Sequence, residues 1–164
     1  MKLSAPEEYG FRCVLQLARE GDAALTLPGL AKREGMTLAN VGKIMGILKR
    51  GRLVESVRGR QGGYRLARPS DRISVADVLV AMTGGVYRAG FCGRERRRRG
   101  KTCVHSGDCS IRSLWAIIDR VLRRVLEQTT VRDLVRSEPF MESWLDERFG
   151  EAMALVPSLR KEDV

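Results

Sequence analysis

The sequence predicts a mostly α-helical fold with a small β-hairpin wing, on three observations. Two helix-like segments meet at a tight turn at Gly35, as in a helix-turn-helix. Two strand-like segments then flank the glycine-rich residues 58–63. Beyond Cys109, apolar residues recur three and four positions apart, which indicates a long helix. The predicted architecture is a winged helix-turn-helix plus a long dimerisation helix.

The first helix is predicted from Glu8 to about Arg19, where apolar residues recur at helical spacing until Gly21. Cys13 falls on the same stripe as Tyr9 and is therefore expected to be a core residue, not a ligand.

The helix-turn-helix follows. Thr26 and Pro28 open its first helix and Gly35 closes it. Thr37 can cap the second helix, which is expected to end at Gly51. The second helix of such a pair normally lies in the major groove of DNA, so it is the predicted recognition helix.

The wing is predicted from strands at Leu53–Val57 and Tyr64–Ala67. The twenty residues 49–68 contain one acid, Glu55, and seven cations: Lys49, Arg50, Arg52, Arg58, Arg60, Arg65 and Arg68. Glycines at the tip allow close approach to a phosphate or a groove, and the basic flanks favour double-stranded DNA as the partner.

Further helices are expected downstream. Ser74 and Asp77 stand in the capping-box relation for a helix that the glycines at 84 and 85 would stop. The long helix presents a face suited to a two-fold homodimer: Ile111, Leu114, Trp115, Ile118, Val121, Leu122, Val125 and Leu126. A short capped helix is expected from Thr130 to Val135, with one more after it.

Four regions are therefore expected. Residues 1–86 form the winged helix-turn-helix, 87–110 a cysteine-rich cluster-binding loop, 111–138 the dimerisation region and 139–164 an acidic C-terminal extension. The net charge of +10 concentrates in residues 1–72 and 88–124, which suits a polyanion. No signal peptide or membrane-length apolar run is visible, so a cytoplasmic protein without a membrane partner is expected.

The cysteines of the loop, Cys92, Cys103 and Cys109, indicate a metal or iron-sulfur site. The arginines and the lysine between the first two favour the thiolates that ligate metal. Structural zinc sites usually pair ligands two to four residues apart, whereas these intervals are wider. An iron-sulfur cluster is therefore favoured, with zinc second and unrelated core thiols third.

Several phrases together resemble the winged-helix iron-sulfur transcriptional regulators typified by IscR and NsrR. They are residues 1–4, residues 51–59 running into 62–67, the helix start at 73–78 and the three late cysteines. The resemblance covers roughly residues 1–138. It implies a homodimer that binds operator DNA, and a cluster held by three cysteines that reports redox state, nitric oxide or iron-sulfur supply.

The chain departs from this family in its ligands. The first cysteine interval is enlarged, so the resemblance leaves both 2Fe-2S and 4Fe-4S clusters open. Arg112 stands where IscR-like members take a ligating histidine. NsrR-like members use an acid near the N-terminus, and the matching residue, Glu8, is the implied fourth ligand, donated by the partner chain. Glu7 and His105 are the alternatives, and Glu8 can equally be a helix-terminal charge.

The recognition helix carries Gly42 where the family often has an acid, so a different operator is expected. Asn40 and Lys43 are the candidates for base edges, since asparagine suits adenine and lysine suits guanine. The other predicted DNA contacts, to phosphate or the minor groove, are Thr37, Arg58, Arg60, Gln61 and Arg65.

Two other functions compete with a cluster-sensing regulator. A redox protein or electron carrier would use the same cluster, but no nucleotide-binding glycine motif is visible and the lone His105 cannot form a catalytic centre. An enzyme is therefore not expected. The third possibility is a DNA-binding protein with structural zinc and no sensing.

Overall fold

The computed structural model describes residues 4–59, 62–83, 105 and 108–153. It confirms the predicted fold class, a mostly helical chain with an antiparallel hairpin. The elements, in chain order, are α1 (Ala5–Glu20), α2 (Leu27–Glu34), α3 (Leu38–Arg50), β1 (Val54–Val57), β2 (Gly63–Leu66), a 3₁₀ turn (Ser70–Arg72), α4 (Val75–Thr83), α5 (Ser110–Gln128), α6 (Val131–Leu134) and α7 (Glu138–Met153).

Side-chain caps fix where the helices of the helix-turn-helix begin. Thr26 Oγ1 accepts a hydrogen bond from Gly29 N at 3.1 Å, and Thr37 Oγ1 accepts one from Asn40 N at 3.3 Å. Each bond satisfies an amide that a helix N-terminus leaves without a partner. Gly35 ends α2 in the left-handed conformation, with φ of 63°. The turn into α3 is therefore short, as the sequence predicts.

The core is built by the apolar stripes of α1, α3 and α4 together with Leu30 of α2. Its fully buried side chains include Val14, Leu17, Leu30, Val41, Met45, Leu48 and Val78. Fully burying one such side chain stabilises the fold by about 1.5–3 kcal/mol, so tertiary packing and not helix propensity holds α3 in place. Cys13 lies among these residues, fully buried, which confirms its predicted place in the core.

The wing is a two-stranded antiparallel hairpin whose observed strands agree with the predicted ones to within one residue at each end. Tyr64 in β2 also exchanges two backbone hydrogen bonds with Leu25, of 2.8 and 2.9 Å. A Cβ atom on Gly63 would land against the Leu25 carbonyl group, so glycine is needed for this close approach. The wing is thus tied to the segment between α1 and α2.

The chain returns to the same core after α5. Val75 N donates to Thr129 O and Val131 N donates to Ile73 O, both at 2.8 Å. Val131 is fully buried in the cluster that holds the α1 and α3 side chains. The C-terminal end of α5 is therefore fixed to the winged helix, whereas residues 110–117 at its other end are exposed.

The remaining expected helices are observed where the structure describes them. Ser74 and Asp77 cap α4 reciprocally, each bond 3.0 Å long. The short helix expected from Thr130 is α6, and the helix expected after it is α7. The glycines at 84 and 85, and the last residues of the chain, lie outside the described residues.

Candidate nucleic-acid interface and metal site

The recognition helix α3 has one buried and one open face. Its buried side chains are Val41, Ile44, Met45 and Leu48. Asn40 and Lys43, the predicted base-reading residues, are exposed, as are Lys49 and Arg50 at the C-terminal end. Recognition helices contact base edges through side chains near their N-terminus. The two predicted base contacts therefore stand on a face that is free to enter a groove.

Thr37 has a structural role in addition to its predicted DNA contact. Its hydroxyl accepts the Asn40 amide bond described above, while the residue itself is exposed. The hydroxyl can still donate its hydrogen to a phosphate oxygen, because a hydroxyl group both donates and accepts. A change at Thr37 would therefore alter both the start of α3 and any phosphate contact.

The wing places Arg58 in an exposed position at the end of β1. Gly59 follows with φ of 117°, a conformation that side chains disfavour, and its carbonyl oxygen accepts a 2.9 Å bond from Gly62 N. The turn holds the ends of the tip together beside the Arg58 cation. Arg60 and Gln61, the other predicted tip contacts, lie outside the described residues.

The cations around the wing divide into two groups. Arg65 Nε donates to Glu55 at 2.8 Å across the hairpin, and Arg68 Nη2 donates to Asp77 at 2.8 Å. These two arginines have local carboxylate partners. The other group makes no ion pair among the described residues, and its members are Lys43, Lys49, Arg50, Arg52 and Arg58. Among the described residues around the wing, the positive charge left unpaired for a polyanion therefore lies on α3, the turn after it and Arg58.

Leu38, at the first position of α3, was not among the sequence-predicted contacts. Its spacing of three from Val41 would place it with the core, yet it is 53% exposed. Leu38 lies in the first turn of α3, directly after the Thr37 cap. The helical periodicity of the sequence does not predict that Leu38 is exposed. Its position directly after the cap is the sequence feature that could have indicated it.

Of the predicted cluster cysteines, the structure describes Cys109. It stands at the N-cap of α5, half-buried, free of any disulfide, and its side chain makes no capping hydrogen bond. The sulfur is therefore not committed to holding the helix terminus. Cys92 and Cys103 lie outside the described residues, so their placement relative to Cys109 is a prediction.

The candidate fourth ligands differ in how they are engaged. The Glu7 carboxylate accepts a 2.7 Å bond from Ser4 N and so helps to close the start of α1. The Glu8 side chain is 61% exposed, with Arg12 at 3.7 Å, and His105 is exposed. Among the described residues no three histidine, cysteine or acidic side chains form a metal-binding group. A thiolate and an accessible carboxylate are nevertheless chemically suited to iron.

Cys13 is chemically unlike Cys109. Burial raises the pKa of the Cys13 thiol to about 12, so the group stays protonated at neutral pH. Because the thiolate is the ligating form, this environment disfavours metal binding. The buried cysteine is a core side chain.

The helix-turn-helix, its open basic α3 face and the basic wing define a winged-helix DNA-binding transcriptional regulator. Within this class the chain belongs to the Rrf2 family. The family model, described as an iron-dependent transcriptional regulator, matches residues 3–137.

Individual relatives agree with this assignment. An HTH-type transcriptional regulator of Mycobacterium tuberculosis is 33% identical over 135 residues, which cover 82% of this chain and 81% of that protein. The regulator IscR of Sodalis glossinidius is 29% identical, covering 87% of this chain and 83% of that protein. The family and these relatives are transcriptional regulators, which agrees with the expectation that the chain is not an enzyme.

Solved structures give the same fold. IscR of T. potens has a TM-score of 0.64 at 27% identity, covering 82% of this chain and 86% of that one. The cysteine regulator CymR of B. subtilis has a TM-score of 0.65 at 24% identity, covering 82% and 96%, and is similar in fold alone. The resemblance to IscR-type regulators is thus confirmed. Within the described ranges, no helix has the length and apolar character needed to cross a bilayer.

Proposed function

We propose that the protein is a homodimeric, operator-binding regulator that senses redox state, nitric oxide or iron-sulfur status through an iron-sulfur cluster. Cys92, Cys103 and Cys109 would hold the cluster, with Glu8 as the fourth ligand. The observation that carries the proposal is the free, half-buried Cys109 thiol at the N-cap of α5, where it makes no capping bond. When bound, a 2Fe-2S or 4Fe-4S cluster supplies a redox-active iron centre.

Glu8 is preferred to Glu7 as the fourth ligand because of what each carboxylate already does. Glu7 is used in closing α1, so ligation by it would break the bond to Ser4 N. Glu8 has no such duty, and its exposed side chain is available to a cluster carried by a partner chain. His105 remains the reserve ligand.

A second copy of the chain is the proposed occupant of the apolar face of α5. Of the predicted face, Ile111, Leu114 and Val121 are each between 55% and 66% exposed, and so is Ile117, which was not predicted. The other predicted aliphatic side chains, Ile118, Leu122, Val125 and Leu126, are half-buried. Exposed apolar residues concentrated along one helix indicate an interaction surface. In a two-fold dimer the same face meets itself, and the two recognition helices then suit a palindromic operator.

The proposed DNA contacts are the ones the sequence predicted. Asn40 and Lys43 would read base edges, and the phosphate or minor-groove contacts would come from Thr37, Arg58, Arg60, Gln61 and Arg65. Arg65 would share its charge with Glu55, so we expect it to contribute less than Arg58. The regions proposed for these tasks are 1–86 for DNA, 87–110 for the cluster, 111–138 for dimerisation and 139–164 as an extension, in a cytoplasmic protein.

Cluster binding can be tested on protein purified without oxygen, by measuring its iron, sulfide and zinc content and its visible spectrum. We expect the wild type to contain iron and sulfide and to absorb visible light, and we expect Cys109→Ser to lose the iron, the sulfide and the absorption. Cys13→Ser is the matched control, because this buried thiol should not ligate and its variant should keep iron if it folds. Zinc without sulfide would favour the structural-zinc alternative, and metal-free protein after reconstitution would contradict cluster binding.

The sensing role is tested separately by operator affinity. We expect the intact and cluster-free proteins to bind the same selected duplex with different affinity and different salt dependence. Glu8→Gln should change the stability of the cluster to oxygen, whereas Glu7→Gln, beside it, should not. Equal affinity with and without cluster would remove the sensing role and leave the DNA-binding function.

A further inference from the structure

The open face of α3 contains a large apolar side chain that is more than half exposed. Leu38 is 53% exposed, while the apolar side chains that follow it on the helix, Val41 and Met45, are buried. Ala39 and Asn40 beside it are exposed as well. The first turn of a recognition helix is the part that contacts base edges. Leu38 therefore stands where a base-contacting group would stand.

Two glycines continue the row that begins with Leu38. Gly42 and Gly46 lie four and eight residues further along α3, so all three are on one side of the helix. A Cβ atom on Gly42 would meet nothing within 4 Å, and one on Gly46 would meet Arg50 Nη1 at 3.7 Å. The fold of this chain therefore does not require glycine at either position. Glycine also weakens a helix relative to alanine, so its presence here calls for another reason.

Glycine is favoured where another surface must approach a backbone closely. A helix with two bare positions on its open face can lie nearer to a neighbour than one with side chains there. Lys43 and Arg50 on the same helix are exposed cations, and so is Arg58 on the wing. This charge fits a polyanionic groove and opposes an apolar protein or a neutral surface as the neighbour.

We propose that Leu38 is a specificity-determining residue that contacts the C5-methyl group of a thymine in the operator, and that Gly42 and Gly46 allow α3 to lie deep enough to make this contact. The thymine methyl group is the apolar feature of the major groove, and an aliphatic side chain is its natural partner. The inference rests on the DNA-binding function proposed above and adds the base that the helix reads.

Replacing thymine by uracil removes that methyl group and leaves the hydrogen-bonding edge unchanged. A site selected from random duplexes would be prepared with each thymine replaced in turn, and its affinity for the full-length protein measured at fixed salt. We expect at least one replacement to weaken wild-type binding by about fourfold, the effect of one buried methyl group. The same replacement should have no effect on Leu38→Ala, and Leu38→Met should keep most of it.

The glycines have a matched control elsewhere in the chain. Gly150, in α7, also has open space where a Cβ atom would stand. Gly42→Ala and Gly150→Ala should both raise the melting temperature, because alanine favours helix. We expect Gly42→Ala alone to lose operator affinity, and we expect it to reduce the uracil effect.

The outcomes separate this inference from the function beneath it. The role of Leu38 would be overturned if the protein bound a selected duplex and no replacement of thymine by uracil weakened that binding. It would also be overturned if such a replacement weakened binding by Leu38→Ala as much as by the wild type. Either result would leave the DNA-binding function intact. An unchanged affinity for Gly42→Ala would overturn the role of the glycines. Failure to select any duplex would overturn the DNA-binding function and the inference together.

Discussion

Arg12 in α1 and Glu34 at the end of α2 form a 2.5 Å ion pair that joins the first helix to the turn before the recognition helix. The Glu34 side chain is only 6% exposed, and Gln16 Nε2 donates to its other oxygen at 2.6 Å. The hydrogen bond and charge of Glu34 raise the pKa of Arg12 above its ordinary value. Glu8 lies one turn before Arg12, so the proposed ligand and the buried carboxylate have a cation in common.

Arg12→Ala should lower the stability of the fold because it leaves the Glu34 carboxylate buried without its cation. Urea unfolding monitored by circular dichroism would measure the change in midpoint. Arg33→Ala is the matched control, since Arg33 pairs with Glu20 between the same two helices at a more exposed site. We expect a clearly larger loss for Arg12→Ala, because exposed pairs contribute little. Equal losses would show that burial of Glu34 does not matter.

The capping residues in the sequence predicted where the helices begin. The sequence did not predict the contacts between residues that are far apart in the chain. The caps of Thr26, Thr37 and Ser74 act within one turn, so their sequence pattern is sufficient. Arg12 and Glu34 are 22 positions apart, and the sequence around neither residue predicts that they form an ion pair. The pairing of Val131 with Ile73 is likewise set by tertiary packing.

The C-terminal end of α3 was predicted correctly at Gly51, but the residue with the left-handed conformation is the next one, Arg52. Gly51 was expected to stop the helix, but it keeps a right-handed conformation, and Arg52 takes the left-handed one with φ of 56°. Leu53 N donates to Leu48 O and Arg52 N to Lys49 O, each at 3.0 Å. This is the pairing of a Schellman motif, with arginine in the place that glycine usually takes.

Arg52→Gly should therefore stabilise the fold, by about 1 kcal/mol, because glycine adopts this conformation without steric cost. Gly51→Ala is the contrasting change. Its Cβ atom would lie 2.7 Å from the Ala81 Cβ atom of α4, and such overpacking costs about 1–3 kcal/mol. Thermal and urea unfolding of the two variants should move in opposite directions. Stabilisation by both would contradict the close approach of α3 and α4.

The candidate site was predicted unevenly, for a physical reason. Asn40 and Lys43 were identified by their position on the recognition helix and by the bases that their side chains suit, and both are exposed. Leu38 was not, because helical spacing groups it with Val41 in the core although it is exposed. The chemistry of Cys109 follows from residue type, but bringing it together with Cys92 and Cys103 depends on the path of the intervening chain, which spacing does not determine.

Substitutions at Thr37 should separate its cap from its proposed phosphate contact. Thr37→Ala should cost about 1 kcal/mol of stability by removing the acceptor for the Asn40 amide. Thr37→Asp should keep the stability, since aspartate is an equally good cap, yet weaken operator binding because its charge repels phosphate. Unfolding and operator titration of both variants measure the two effects. Wild-type affinity for Thr37→Asp would place Thr37 away from the DNA backbone.

The buried thiol of Cys13 should make stability fall at high pH. An exposed thiol ionises near pH 9, its ordinary value, whereas burial raises the pKa of Cys13 in the folded protein to about 12. Between these values the unfolded chain releases a proton that the folded chain keeps. The contribution of Cys13 to stability is therefore complete below about pH 9 and is lost above it, by about 1.4 kcal/mol for each pH unit.

Urea midpoints between pH 8 and 10.5, for the wild type and Cys13→Ala, would measure this slope. Other groups also titrate in this range, so the difference between the two slopes is the quantity that belongs to Cys13. We expect the wild type to lose stability more steeply, and iodoacetamide at pH 8 to label Cys13 only in urea, as located by peptide mass. Parallel slopes, or labelling of the folded protein at this site, would mean that the thiol reaches solvent.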